Sequence, residues 1–100
     1  MSNIKFKDYH IEQLKNNEGE TEKYLNIALE EFFKDGNKKA FYQALQDVVE
    51  AKGGITVLSK KAELNRSNLY KIFSGKSKPK LETIENILSS LGFTFTIKHS

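Results

Sequence analysis

Two short segments with the apolar spacing of helices, residues 55–62 and 66–74, are separated by only three residues. Their apolar positions recur on one side of each helix: Val57, Leu58 and Ala62 in the first, and Leu69, Ile72 and Phe73 in the second. A three-residue connection allows only a sharp turn between two helices that cross steeply. This constraint limits the fold more than any other feature of the sequence.

The rest of the chain is also predominantly helical by pattern. Helical periodicity predicts helices over residues 20–34, 38–52 and 81–91, with Gly36, Gly53-Gly54 and Gly92 as stops. A shorter helix is predicted from Asp8, a suitable N-cap, to about Lys15. We expect one mainly α-helical domain over residues 1–100, divided into an N-terminal extension (1–36), a helical bundle (37–92) and a terminal strand (93–98).

The strand is predicted from strict alternation at the end of the chain. Phe93, Phe95 and Ile97 alternate with threonine and lysine, which is typical of a strand with one apolar face. A lone strand needs a partner for its backbone donors and acceptors. The segment around Ile4–Phe6, the same strand of a second copy, or another protein can supply one. We favour a two-fold ladder between two copies.

Composition restricts the classes of function. The 100 residues include no cysteine, which excludes disulfides and thiolate chemistry. No apolar run approaches the roughly 18 residues of a membrane span, and no signal-peptide core is seen at the N-terminus, so we expect a soluble, cytoplasmic protein without membrane contact.

Charge is divided unevenly along the chain. Residues 1–50 carry seven lysines against ten carboxylates, a net of −3, and residues 51–100 carry nine cations against three carboxylates, a net of +6. Between Lys52 and Lys80 the only acid is Glu63. The two halves suggest two surfaces with different partners, the basic one suited to phosphate. Ordinary solvated surface is the alternative.

The second short helix has suitable chemistry for DNA. In a helix-turn-helix its N-terminal side chains enter the major groove. Arg66 can bind guanine, Asn68 can pair with adenine, Ser67 can contact either, and Lys71 lies one turn further on the same side. Residues that can contact phosphate surround them: Lys60, Asn65, Lys76, Ser77 and Lys78. The alternative is that these polar residues are only the solvated face of an amphipathic helix.

The stretch "LSKKAELNRSNLYKIFSGKSKPKLETIENILSSLGF" resembles the lambda-repressor/Cro-type (XRE) helix-turn-helix. With "YLNIALEEFFKDGNKKAFYQALQDVVEAKGG" upstream and "FTFTI" downstream, the chain from about residue 5 to 98 resembles HigA-type addiction-module antidote proteins. The resemblance implies a lambda-repressor-like bundle in a dimeric autorepressor. It would bind double-stranded operator DNA and neutralise a RelE/ParE-like (HigB-type) toxin. It assigns base contacts to Arg66, Ser67, Asn68 and Lys71, and phosphate contacts to Lys76 and Lys78.

One position departs from the pattern of the resembled family. Its turn position usually holds glycine, and Glu63 stands there in this chain. A left-handed backbone at Glu63 costs on the order of 1 kcal/mol. Its negative charge also opposes DNA binding.

Catalytic and metal sites have little support in the sequence. His10 and His99 lie at opposite ends of the chain and have no spaced partners for a metal or for a nucleophile–base pair. We therefore expect neither an enzyme nor a cofactor.

The acidic first half has two interpretations. A toxin that acts on RNA is basic, so residues 4–34 are a suitable contact for it; the alternative is that these residues only extend the core and add solubility. Two other functions stay open for the whole chain. One is a stand-alone phage-like repressor without a toxin, and the other is a protein-interaction adaptor whose helix-turn-helix no longer binds DNA.

Overall fold

A computed structural model of the chain describes residues 11–97, and within that range the ordered elements are helices. Residues 11–16 are helical and are called α1. Five helices follow: α2 (Glu18–Asp35), α3 (Lys38–Ala51), α4 (Ile55–Ala62), α5 (Arg66–Phe73) and α6 (Leu81–Ser90). The predicted helices are therefore present over the described residues, with ends that mostly shift by one residue. Asp8, the predicted cap of the first helix, lies outside them.

The start of α2 differs from the prediction by two residues because Asn17 caps it. The Asn17 side chain accepts a hydrogen bond from the backbone N–H of Glu20 at 3.1 Å, so the helix begins at Glu18 and not at residue 20. The buried hydroxyl of Thr21 donates to the carbonyl of Leu14 at 2.9 Å. That bond, together with the burial of Leu14, holds α1 against the first turn of α2.

Helix α3 lies at the centre of the described structure. It packs against α2, α4 and α5, and its Leu45 and Val48 are completely buried. Helix α6 packs on α4, and its Asn86 side chain donates to the carbonyl of Ala62 at 2.8 Å. This bond satisfies one of the carbonyls left open where α4 ends.

A partly buried polar cluster joins α2 to α3. The Tyr24 hydroxyl donates to Asp47 Oδ2 at 2.8 Å, and the Gln43 side chain donates to Asp47 Oδ1 at 3.2 Å. Burial raises the pKa of the Tyr24 hydroxyl well above its ordinary value, and the hydrogen bond and negative charge of Asp47 raise it further. The carboxylate of Asp47 is buried yet hydrogen-bonded, as a buried charge must be.

The connection between α4 and α5 is the sharp turn that the spacing predicts. Glu63 has φ 56° and ψ 44°, which is left-handed, and it is the one non-glycine residue with positive φ among residues 11–97. The backbone N–H of Leu64 bonds to the carbonyl of Ser59 at 3.1 Å, and the Ser59 hydroxyl donates back to the carbonyl of Leu64. Asn65 then caps α5 by accepting from the N–H of Ser67 at 2.7 Å.

The C-terminal strand prediction needs correction. Residues 93–97 form no strand, and Lys98 lies outside the described residues. Phe93 packs half-buried on the core, whereas Phe95 is partly exposed and Ile97 is fully exposed. A strand requires a ladder partner, and the described part of the single chain provides none. One suggested partner, Ile4–Phe6, also lies outside the described residues.

None of the helices described here is both long and apolar enough to cross a bilayer.

Replacing Glu63 with glycine should stabilise the protein. Glycine adopts positive φ without a Cβ penalty, and that gain exceeds its entropy cost. We therefore expect the free energy of unfolding to rise by about 0.5–1 kcal/mol and the Tm to rise by several degrees. Thermal denaturation followed by circular dichroism measures the change. Glu63→Ala is the matched control, because it removes the charge and keeps the strained backbone. An equal rise in both variants would show that the charge, not the backbone, is responsible.

Candidate nucleic-acid interface

The exposed side of α5 carries the four residues predicted to contact bases. Arg66, Ser67, Asn68 and Lys71 are all exposed, and together they are called the base-contacting face. The opposite side of the helix is buried against the core through Leu69, Ile72 and Phe73. Ser67 and Lys71 are four residues apart and therefore neighbours on the helix surface. The packing of α5 thus directs the polar residues outward as one surface.

The basic loop, residues 75–80, is fixed to the end of α5 by backbone hydrogen bonds. Gly75 has φ 79°, a left-handed conformation that glycine adopts freely, and it turns the chain back over the helix end. The N–H of Lys76 then bonds to the carbonyl of Lys71 at 2.8 Å, and that of Ser77 bonds to the same carbonyl at 3.3 Å. The position of Lys76 relative to the base-contacting face is therefore set by the backbone.

The predicted phosphate-contact residues divide into two groups. Asn65, Lys76, Ser77 and Lys78 adjoin α5 along the chain, and all but the half-buried Ser77 are exposed. Lys60 is exposed on α4, on a different element. The side-chain oxygen of Asn65 accepts the capping bond, so only its amide nitrogen suits a phosphate contact.

Most of the lysine and arginine side chains between Lys52 and Lys80 form no ion pair with a carboxylate among the described residues. The ion pairs formed within residues 11–97 are Lys15–Glu12 at 3.6 Å and Lys52–Glu18 at 2.9 Å. Lys52 also lies 5.2 Å from the centre of the Phe93 ring. Lys52 therefore contacts α2 and the C-terminal segment. The basic surface consists of the cations of α4, α5 and the basic loop.

Sequence reasoning missed a groove between α3 and α5 that opens beside the base-contacting face. Its volume is about 470 Å³, and both Lys71 and Lys76 line it. Tyr70, which is half exposed, and Lys39 of α3 line it as well. Helical spacing could have shown that Tyr70 is not on the buried side of α5, but no local pattern places α3 next to it.

A second groove, here called the apolar groove, lies beside the C-terminal segment, and Lys80, Glu82 and Glu85 are among its lining residues. Its lining includes Leu29, Phe33, Leu81, Phe95 and Ile97. Phe33 and Leu81 are apolar residues within the predicted helices 20–34 and 81–91, yet both are largely exposed. Phe33 lies about 100° around α2 from the centre of its buried stripe. Leu81 is the first residue of α6 and projects past the edge of the core.

No cluster of three or more histidine, cysteine, aspartate or glutamate side chains suited to a metal occurs within the described part of the chain. His10 and His99 lie outside it.

Comparison with known proteins identifies the family. The chain is 28% identical over 94 residues to an uncharacterized protein of Haemophilus influenzae, and the match covers 94% of this chain and 92% of that protein. No solved structure gives a significant match. Residues 5–99 match the family described as "Probable addiction module antidote protein". Because this match spans nearly the whole chain, the protein belongs to the family of probable addiction module antidote proteins.

Proposed function

We propose that this antidote is the antitoxin of a type II toxin–antitoxin module, and that it binds its own operator as a dimeric repressor of the HigA/XRE kind. Its toxin partner is of the RelE/ParE-like (HigB-type) group. The observation that carries the DNA-binding part is the base-contacting face of α5 with the basic loop fixed beside it. On this proposal the protein acts by binding and is not an enzyme.

Side-chain chemistry supports binding to double-stranded DNA. Arginine, asparagine and serine on the exposed first turn of a short helix can hydrogen-bond to base edges in the major groove. Lys76 and Lys78 follow at the end of the same helix, where the sugar–phosphate backbone borders the groove. Glu63 is exposed in the turn just before α5, and its negative charge reduces the positive potential of the nearby lysines and arginine.

Helix α2 supports a separate toxin contact. Its exposed carboxylates are Glu18, which pairs with Lys52, and Glu20, Glu22, Glu30, Glu31 and Asp35. A toxin that acts on RNA needs a basic surface, and an acidic helix is complementary to it. Helix α2 packs on α3 and not on α5. The acidic and basic surfaces therefore belong to elements that α3 separates, which leaves room for both partners at once.

The apolar groove and the segment after α6 support a homodimer. Phe33 is 81% exposed, Leu81 75% and Ile97 102%, and Phe95 is partly exposed beside them. Because each large apolar side chain carries about 150–250 Å², these four expose on the order of 500 Å² per chain. Two copies would bury about 1,000 Å², near the lower limit for a specific interface. The ladder partner missing from the single chain would then be Phe93, Phe95 and Ile97 of the second copy.

Removing two cations from α5 should weaken operator binding. The double variant Arg66→Ala/Lys71→Ala loses a base contact worth about 1–3 kcal/mol and a further cation, so we expect at least a tenfold loss of affinity. Preference for the promoter duplex of its own gene over a scrambled duplex should also decrease. Fluorescence anisotropy measures both. Lys23→Ala, an exposed lysine of α2, is the control and should bind as wild type. Unchanged affinity in the double variant would leave the adaptor function as the better account.

The product of the adjacent gene should be toxic alone and harmless when it is co-expressed with this protein. Reversing charge with Glu30→Lys/Glu31→Lys should weaken the complex and the rescue of growth, because both carboxylates are exposed on α2. Pull-down and growth on induction measure these effects. The same variant should bind DNA as wild type, which shows that it is folded. A neighbouring product that is neither toxic nor bound would favour a stand-alone repressor.

Placing a charge in the apolar groove should dissociate the dimer. Ile97→Glu puts a carboxylate in the proposed interface, and we expect the mass measured by light scattering after gel filtration to fall from dimer to monomer. Thr94→Glu is the matched control, since an extended segment directs residues 94 and 97 to opposite faces. Its mass should stay that of the dimer. A wild-type protein that is monomeric at all concentrations would contradict this part of the proposal.

A further inference from the structure

The groove between α3 and α5 combines cations from three separate elements. Lys39 comes from the first turn of α3, Lys71 from α5, and Lys76 from the basic loop. All three side chains belong to exposed residues, and neither of the two ion pairs formed within residues 11–97 involves them. The lining contains no carboxylate. Three like charges around one groove repel one another unless an anion lies between them, and a chain of phosphates is such an anion.

The uncharged residues that line the groove are also suited to contact a sugar–phosphate backbone. Tyr70 is 49% exposed, whereas its neighbours Leu69 and Ile72 on α5 are buried. A tyrosine ring in this position can pack against a sugar, and its hydroxyl can donate to a phosphate oxygen. Gln43 also lines the groove, but its amide nitrogen already donates to Asp47 at 3.2 Å. Gln46 of α3 lines the groove too but is uncharged, so Lys39 is the one cation that α3 contributes to it.

The groove is continuous with the base-contacting face. Lys71 belongs to both surfaces, and Lys76 is held to Lys71 by the backbone hydrogen bond of 2.8 Å. A DNA strand that borders the major groove at α5 would therefore pass Lys76 and then reach α3. This path extends the DNA contact beyond the two helices and the loop that sequence alone indicated.

We propose that the α3–α5 groove binds the sugar–phosphate backbone of double-stranded DNA, with Lys39 as a phosphate contact outside the helix-turn-helix and with Tyr70 and Lys76 beside it. The proposal rests on the operator binding proposed above and assigns a further surface to it. A phosphate contact raises affinity for all sequences equally and contributes one counterion to the salt dependence. These two properties distinguish it from a base contact.

The test compares Lys39→Gln with Lys38→Gln in the full-length protein. Lys38 is the adjacent exposed lysine in the same turn of α3 and does not line the groove. Affinity is measured by fluorescence anisotropy for the promoter duplex of its own gene and for a scrambled duplex, between about 50 and 200 mM salt. Circular dichroism confirms that both variants are folded.

We expect Lys39→Gln to weaken binding to both duplexes by about eightfold at about 0.1 M salt and to reduce the slope of log affinity against log salt by about 0.9. The ratio between the two duplexes should stay constant, and Lys38→Gln should match wild type. Wild-type affinity and slope in Lys39→Gln would overturn the proposal while leaving operator binding intact. A loss of the same size in Lys38→Gln would also overturn it, because the effect would then come from general charge. If the wild-type protein binds neither duplex, operator binding itself fails and this inference fails with it.

Discussion

The positions of α2, α4 and α5 depend on the burial of α3. An amphipathic surface helix buries one narrow stripe, but α3 packs against α2, α4 and α5, and its buried apolar residues cover about half of its circumference. Leu45 and Val48 are completely buried, and Phe41 and Val49 are nearly so. The buried side of α5 faces this helix, and its polar side consequently faces solvent. The exposure of the base-contacting face is thus a result of hydrophobic burial elsewhere.

The turn between α4 and α5 shows how such an arrangement tolerates an unfavourable residue. Glu63 adopts a left-handed backbone at a cost on the order of 1 kcal/mol. The bonds of Ser59 to Leu64 and the cap from Asn65 hold both sides of the turn, and Asn86 of α6 binds the carbonyl of Ala62 just before it. Together these hydrogen bonds hold the turn in a single conformation. The strain at Glu63 therefore does not alter the relative placement of α4 and α5.

The helices could be predicted from sequence because each depends on local periodicity and on local caps. The spacing of Leu69, Ile72 and Phe73 gave both the extent of α5 and the side that is buried. What sequence did not predict depends on distant contacts. Whether Phe33 is buried is decided by how far around α2 the neighbouring helix reaches, and whether 93–97 forms a strand is decided by whether another strand lies beside it. For the same reason Lys39 was not recognised as part of the candidate site, since only the fold brings α3 next to Tyr70.

The proposed dimer and the proposed DNA contact depend on each other energetically. Helix α5 has only eight residues and presents four polar side chains, so one copy can discriminate among few base pairs, at about 1–3 kcal/mol for each good contact. Phosphate contacts add affinity without specificity. A two-fold dimer doubles the number of base contacts within one binding event, and because the second α5 is then tethered to the first, its binding is intramolecular. The large exposed apolar side chains of the apolar groove, a liability in a monomer, would form the interface that the proposed operator recognition needs.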